Sequence, residues 1–142
     1  MSKTLKDLIE YFNKRPRIGT LGTADKEGKP NIAHLGSPQM VDEKTVVMGL
    51  GQNRTLANLR ENPYAVFTIL EPAKTVTEWK GVRVYLKMTD LQTSGEKLNN
   101  IKEAIAKRSG ESAAKIVKAV ATFEITEIRP IVDFGQGWEK TI

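Results

Sequence analysis

The sequence predicts a mainly β fold, a small antiparallel β-barrel with a few flanking helices. Two observations predict it. Short segments with the composition or alternation of strands follow one another with turn residues between them, and few segments have helical spacing. Strands joined by hairpins favour antiparallel pairing, and closing the sheet into a barrel removes exposed edges that would otherwise pair with other chains.

The first predicted elements are one helix and three strands. An amphipathic helix begins after Thr4, a suitable N-cap, and ends before Pro16. Its apolar face comprises Leu5, Leu8, Ile9 and Phe12. Turn-rich segments at 24–29 and 42–44 separate the three strands, which are expected at residues 17–23, 30–37 and 45–50.

The second half begins with a short helix over residues 54–61, which Asn62-Pro63 closes and which turns Leu56 and Leu59 inward. Strands are expected at 64–70 and 82–89, with residues 75–79 beginning the latter. In that strand Val82, Val84, Leu86 and Met88 alternate with Arg83, Tyr85, Lys87 and Thr89. There follow a helix over 96–107 with the stripe Leu98, Ile101, Ala104 and Ile105, helical turns within 112–118, a strand at 120–128 and an irregular tail over 130–142.

Length and composition limit the classes of function. A chain of 142 residues predicts a single domain, residues 1–142, with one core. The absence of cysteine excludes a disulfide framework and thiolate metal sites, and a single histidine, His34, predicts no transition-metal centre. No segment has the apolar run of a signal peptide or a membrane span, so we expect a cytoplasmic protein without membrane contact.

The charge is basic, with a formal net charge of +5 and a pI of about 9.5. Such a balance is compatible with nucleic acid, a membrane surface or an anionic ligand as partner. The basic residues are spread along the chain without a long run, which favours solvated lysines and disfavours nucleic-acid binding.

The segment with chemical interest joins a strand to the helix over 54–61. The strand ends at Gly49 and Gly51, where backbone can approach a ligand closely, and a polar loop opens the helix. Backbone N–H groups at a helix N-terminus favour anions, Asn53 and Thr55 can donate hydrogen bonds, and the Arg54 guanidinium matches phosphate oxygens. The alternative is an ordinary helix start, with Asn53 as N-cap and Arg54 exposed. The spacing matches neither a P-loop nor a dinucleotide fingerprint.

Three pieces together resemble the FMN-binding split barrel of the pyridoxamine 5′-phosphate oxidase-like superfamily. They are Gly28-Lys29-Pro30 before a strand, Gln52-Asn53-Arg54-Thr55 at a helix start, and the run from Asn58 through Asn62-Pro63 to Val66. The resemblance is clearest over residues 18–89. It implies an FMN-holding split barrel, a flavoprotein of the oxidoreductase class, and a homodimer with the flavin at its interface.

The resemblance also implies site residues. The FMN phosphate would contact Gln52, Asn53, Arg54 and Thr55, and the ribityl chain and flavin edge would lie against Met48, Gly49 and Leu50. The isoalloxazine ring would lie against Ile32, Ala33, His34 and Leu35. Trp79 and Lys80 are candidates to approach the flavin from a neighbouring subunit, and Trp138 is a candidate to cover it or to pack on the partner.

The leading hypothesis is an FMN-dependent oxidoreductase of unknown substrate, with no catalytic residue identified. The alternative is a non-enzymatic FMN-binding or electron-carrying protein. A third hypothesis, a nucleic-acid-binding barrel, depends on Tyr85 lying between Arg83 and Lys87. The tail lacks the basic cluster that holds substrate phosphate in the oxidases proper, which disfavours vitamin B6 oxidation. For His34, a hydrogen bond or proton relay near the flavin and a position without function both stay open.

Overall fold

A computed structural model describes residues 2–142 and confirms a mainly β chain with a few helices. The strands are Ile18–Ala24 (β1), Pro30–His34 (β2), Gln39–Asp42 (β3), Thr45–Leu50 (β4), Tyr64–Glu71 (β5), Lys80–Gln92 (β6) and Ala119–Pro130 (β7). The helices are Leu5–Asn13 (α1), Arg54–Glu61 (α2), Glu96–Ser109 (α3) and Glu111–Ile116 (α4). No helix within residues 2–142 is long and apolar enough to cross a membrane.

The seven strands form one antiparallel sheet in the order β2-β1-β5-β6-β7-β4-β3. β2 and β3 are consecutive in the chain, yet they lie at opposite ends of this order. Residues 35–38 connect them, and so short a link spans at most about 18 Å. The sheet therefore curves until its two ends are close, and the link crosses the gap between them.

The barrel core is filled by inward-facing side chains of every strand except β2, together with α1 and α2. Leu8 and Phe12 of α1 are fully buried, and the Phe12 ring lies 5.3 Å from that of Phe67 on β5. α1 begins at a capping box in which Thr4 and Asp7 each accept a hydrogen bond from the other's backbone N–H. The predicted amphipathic helix is thus confirmed, with Leu5 at its exposed margin.

Arginine side chains hold the link that crosses the gap. Arg17 donates from Nη2 to the carbonyl oxygens of Pro38 (2.5 Å) and Gly36 (3.2 Å), and from Nη1 to that of Phe12 (2.6 Å). Arg15 donates to the same two link carbonyls, at 3.0 Å for Gly36 and 3.3 Å for Pro38. We call these two residues the arginine clasp, because they join α1 and the start of β1 to the β2–β3 link.

The Arg17 guanidinium is partly buried between two aromatic rings. Its Cζ lies 5.2 Å from the ring centroid of Phe12 and 5.0 Å from that of Phe67, which is cation–π geometry. Burial, and to a lesser extent the positive charges of Arg15 and Arg108, lower the pKa of Arg17 to about 9. The side chain remains cationic at neutral pH, so its bonds to the three carbonyls are charge-assisted.

Several predicted boundaries were wrong. The strand expected over 30–37 ends at His34, and β3, which was not predicted, follows after Pro38. Residues 75–79 do not begin a strand, because Val76–Glu78 form a 3-10 helix and β6 starts at Lys80. β6 continues to Gln92, beyond the predicted end. Register shifts near Tyr85 and Met88 change how its second half pairs with β7.

A second apolar layer covers the outside of β4 and β7. Leu98 and Ile105 of α3 pack with Ala114, Val117 and Val120, which confirms the predicted helix over 96–107 except that Ala104 is exposed. The helical turns expected within residues 112–118 form α4, which ends two residues earlier than predicted.

The C-terminal tail packs on its own barrel. Thr141 accepts from the Gly81 N–H through its carbonyl oxygen and donates from its hydroxyl to the Gly81 carbonyl (both within 2.9 Å). Position 81 requires glycine because its φ is +143° and a Cβ there would lie 2.0 Å from the Ile69 carbonyl oxygen of the paired strand β5. Trp138 packs against the barrel core. Trp138 is only partly buried, and its candidate roles as a flavin cover or as a contact with the partner stay predictions.

Replacing Arg17 tests the arginine clasp. Arg17→Ala removes the side-chain donor to the Phe12 carbonyl and leaves the carbonyls of Gly36 and Pro38 with Arg15 alone, and we expect the free energy of unfolding to fall by about 2–4 kcal/mol. Urea denaturation measures this change. Arg60→Ala, an exposed arginine of α2, is the matched control and should cost less than about 0.5 kcal/mol. Equal stability of the two variants would refute the assigned role of Arg17.

Candidate functional site

The end of β4 is buried rather than open. The Met48 side chain lies in the barrel core, fully buried. A Cβ on Gly49 would lie 3.1 Å from both Ile105 and Val117, and one on Gly51 would lie 3.2 Å from Ile116. The missing side chains of these glycines make room for the α3–α4 layer, and close approach of a ligand to their backbone stays a prediction.

Gly49 is also tied to the β2–β3 link. The Ser37 hydroxyl donates to the Gly49 carbonyl oxygen (2.7 Å) and accepts from the Gly49 N–H (3.0 Å). This single side chain satisfies both backbone groups of Gly49 that face away from β7. Sequence reasoning missed Ser37, since nothing local indicates that it contacts a residue twelve positions away.

The helix start that follows is exposed on one side. The Asn53 Oδ1 accepts from the Leu56 N–H (3.1 Å), so Asn53 is the N-cap of α2. Thr55 is buried, whereas Gln52, Asn53 and Arg54 are exposed. Within residues 2–142 the Arg54 guanidinium has no hydrogen bond or ion pair to the protein. The two features of an ordinary helix start, Asn53 as N-cap and an exposed Arg54, are thus present. The Arg54 cation lies beside the N–H groups of the first turn without a protein partner among the described residues.

A cleft of about 240 Å³ adjoins this helix start, lined by Gln52, Asn53, Leu56, Ala57 and Arg60. The helix is held in place by a buried hydrogen bond from Asn58 Nδ2 to the Thr23 hydroxyl on β1 (3.1 Å). Asn58 belongs to the run that carried the family resemblance, and this bond gives it a structural role. It joins α2 to the half of the sheet that contains β2.

Strand β2 presents the second group of predicted residues. Ile32 is 72% exposed, while Ala33 and Leu35 are partly buried. His34 is exposed, and its Nδ1 lies 3.2 Å from the Thr20 hydroxyl, the residue opposite it on β1. A cleft of about 360 Å³ opens here, lined by Arg17, Ile18, Gly19, His34, Leu35 and Gly36.

Over β1, β2 and β5, no helix within residues 2–142 packs on the side of the sheet that faces away from the core. We call it the outer face. The cross-strand registers place small, β-branched and aliphatic residues next to one another there, partly or fully exposed. They are Ile18, Thr20 and Gly22 of β1, Ile32 and His34 of β2, and Val66, Thr68 and Leu70 of β5.

Trp79 and Lys80 form a third group at the far end of the β5–β6 hairpin. Lys80 pairs with Glu71 at the last position of the β5 ladder, and the Trp79 Nε1 donates to the Ala73 carbonyl oxygen (3.2 Å). Among the described residues, no hydrogen bond joins them to β2 or to the α2 start. The structure thus gathers Gln52–Thr55 and Ile32–Leu35 into two sites, and leaves Trp79 and Lys80 apart in one protomer.

Comparison with known proteins defines the family. A family model described as pyridoxamine 5′-phosphate oxidase matches residues 5–131. The chain belongs to this family, and its fold is the split β-barrel, as the sequence resemblance predicted.

Individual relatives are more distant. An uncharacterized protein of Methanocaldococcus jannaschii is 28% identical over 115 residues, covering 68% of this chain and 77% of that protein. The crystal structure of an FMN-binding protein from Syntrophomonas wolfei subsp. wolfei is similar with a TM-score of 0.73 and 25% identity, over 89% of this chain and 88% of that one. HutZ, the heme storage protein from Vibrio cholerae, has a TM-score of 0.68 at 17% identity, over 96% and 99% of the two chains, which shows the fold alone.

Two substitutions test the cap at Asn53. Asn53→Ala removes the acceptor for the Leu56 N–H, and we expect the free energy of unfolding to fall by about 1 kcal/mol. Asn53→Asp keeps an acceptor and adds a favourable charge at the helix N-terminus, so its stability should equal or exceed that of the wild type. Chemical denaturation of the three proteins measures both effects, and an unchanged Ala variant would exclude the cap.

Proposed function

We propose that the chain binds FMN, with the cofactor phosphate at the start of α2. The observation that carries the proposal is the exposed Arg54 guanidinium, which has no protein partner within the described residues and lies beside the first-turn N–H groups of α2. An anion at that place would meet both a side-chain cation and the positive end of the helix. The FMN-binding neighbour from Syntrophomonas wolfei supports the choice of ligand.

The fit of a phosphate can be judged from the donors present. The Asn53 Oδ1 is engaged by the Leu56 N–H, which leaves its Nδ2 without a protein partner, and Gln52 adds a second exposed amide. These groups donate hydrogen bonds, and Arg54 adds the charge that a phosphate requires. The residues therefore suit a phosphate monoester, whereas Met48 and Gly49 can contribute only through the shape of the wall, since they are buried.

The flavin ring is proposed to lie along β2, against Ile32, Ala33, His34 and Leu35. The outer face that borders β2 is apolar and uncovered, and we propose that a second copy of the chain covers it. This arrangement places the ring at the interface of a homodimer, where Trp79 and Lys80 of one subunit come within reach of the other subunit's flavin. Burial of an aliphatic face between two subunits would stabilise both the dimer and the bound ring.

When bound, FMN supplies hydride and single-electron transfer, and the protein supplies binding and orientation. We propose an FMN-dependent oxidoreductase whose substrate is unknown. His34 is the one imidazole of the site, and its Nδ1 is positioned by the Thr20 hydroxyl. The alternative is an FMN carrier without enzymatic activity, and reduction of the bound flavin by NADH or NADPH distinguishes the two.

Substitution of Arg54 tests the phosphate site. Arg54→Ala removes the cation, and we expect the dissociation constant for FMN to rise about ten- to hundredfold, the range for a charge-assisted contact. Quenching of FMN fluorescence during titration measures it. Lys44→Ala removes an exposed cation from the turn before β4, at the opposite end of that strand from the start of α2, and should change the constant less than twofold. An Arg54 variant that retains full FMN affinity would contradict the proposed phosphate site.

Substitution of Ile32 tests the interface. Ile32→Asp places a carboxylate on the outer face, and we expect a dimer to become a monomer with weaker FMN binding, because burying an unpaired charge is costly. Analytical ultracentrifugation gives the mass in solution. Val41→Asp, on β3 outside the outer face and 53% exposed, should leave the dimer intact. A wild-type monomer, or an Ile32 variant that remains dimeric, would refute the interface.

A further inference from the structure

We propose that a cleft between α1 and β5 binds a small apolar carboxylate next to the flavin. The inference deepens the proposed function and rests on it for the position of the flavin, although binding to the cleft can be measured separately. The cleft, which we call the α1–β5 cleft, lies where α1 ends, β1 begins and β5 ends.

The shape and the walls of the α1–β5 cleft suit a small molecule. Its volume is about 300 Å³, at the lower end for ligand pockets. Apolar groups form most of the wall, contributed by Pro16, Ile18, Leu70, Pro72 and the ring of Tyr11. An occupant would therefore have an apolar body, since polar atoms placed against these walls would lose hydrogen bonds to water.

The charges at the cleft favour a single negative charge on that occupant. Two cations line it, Lys14 and Arg17, against one carboxylate, Glu71. The Tyr11 hydroxyl donates to Glu71 Oε2 at 2.6 Å, so this carboxylate already has a donor. Burial and this hydrogen bond raise the pKa of Tyr11, so its hydroxyl stays protonated and keeps donating. Lys14 is exposed and forms no ion pair within residues 2–142.

A carboxylate matches this arrangement better than a phosphate does. Arg17 already donates to three carbonyl oxygens of the protein, so Lys14 is the one cation of the cleft with all its donors available. One free ammonium group balances a monoanion, whereas a phosphate monoester carries nearly two charges at neutral pH. The positive charge of the partly buried Arg17 then strengthens the preference for an anion over a neutral ligand.

The position of the α1–β5 cleft links it to the proposed flavin site. Arg17 and Ile18 line both this cleft and the cleft beside His34, so the two clefts are neighbours that share these residues. Ile18 and Leu70 also lie opposite each other on the outer face. A ligand held here would contact the side of the barrel along which the flavin ring is proposed to lie, which is the position required of a substrate.

The test uses 4-phenylbutyrate and its neutral counterpart 4-phenylbutyramide as probes, with isothermal titration calorimetry on the full chain. We expect the carboxylate to bind at least fivefold more tightly than the amide. Lys14→Gln should weaken carboxylate binding about fivefold, near the upper limit for an exposed ion pair, and leave amide binding unchanged. Lys29→Gln, an exposed lysine in the β1–β2 turn, is the matched control and should change neither affinity.

Equal affinity for the two probes, no binding of the carboxylate, or an unchanged Lys14→Gln variant would overturn the proposal. In protein loaded with FMN, 4-phenylbutyrate should also shift the visible flavin spectrum, and a saturated cleft without any shift would refute the adjacency. Protein that binds the carboxylate with the expected Lys14 dependence but takes up no FMN would support the cleft while refuting the proposed function. Protein that takes up FMN but does not bind the carboxylate would refute the cleft as a ligand site while supporting the proposed function.

Discussion

The cationic contact between Arg17 and the β2–β3 link is the interaction on which the rest of the structure depends. A sheet whose terminal strands are consecutive in the chain must bring both ends to one short link, and no strand pairing is found there between β2 and β3. Arg17 replaces that missing ladder by donating to the carbonyls of Gly36 and Pro38. The face of its guanidinium packs on the two phenylalanine rings of the core. One side chain therefore contacts both the β2–β3 link and the barrel interior.

The same link connects the two halves of the candidate site. Gly36 and Pro38 are held by the clasp, and Ser37 between them holds both backbone groups of Gly49 at the end of β4. The strand that carries His34 and the strand that leads into α2 are therefore positioned by consecutive residues. A ligand with its phosphate at α2 and its ring along β2 would meet two surfaces whose separation is set by this link, which is the pre-organisation that tight cofactor binding requires.

Local signals predicted most of the elements, and long-range contacts account for part of what they missed. Leu56 and Leu59 face the core and Val82, Val84 and Leu86 alternate as their spacing indicates, because helical and strand periodicity depend only on near neighbours. The four residues of β3 were missed for a local reason: the strand is short and buries only Met40, so neither its length nor its composition marks it, although it pairs with the adjacent β4. The extra residues of β6 were missed for a long-range reason, because they pair with β7, some thirty positions away.

The candidate site was predictable only where the chain itself supplies the chemistry. The sequence indicated the exposed Arg54 and the cap at Asn53, since both belong to one helix start. It could not reveal that Gly49 faces Ile105, or that Ser37 and Thr20 contact Gly49 and His34, because sheet pairing and helix packing bring these residues together. Glycine at a strand end is compatible with close approach by a ligand or by another part of the protein, and only the fold distinguishes them.

The measurement that tests the central claim most directly is the visible absorption spectrum of the purified protein, followed by release and identification of the chromophore by mass spectrometry. We expect a yellow protein that releases FMN at about one molecule per chain, or a colourless one that takes up added FMN to that ratio. Release of haem, or a colourless protein that fails to bind added FMN, would contradict the assignment of the α2 start and β2 as a flavin site.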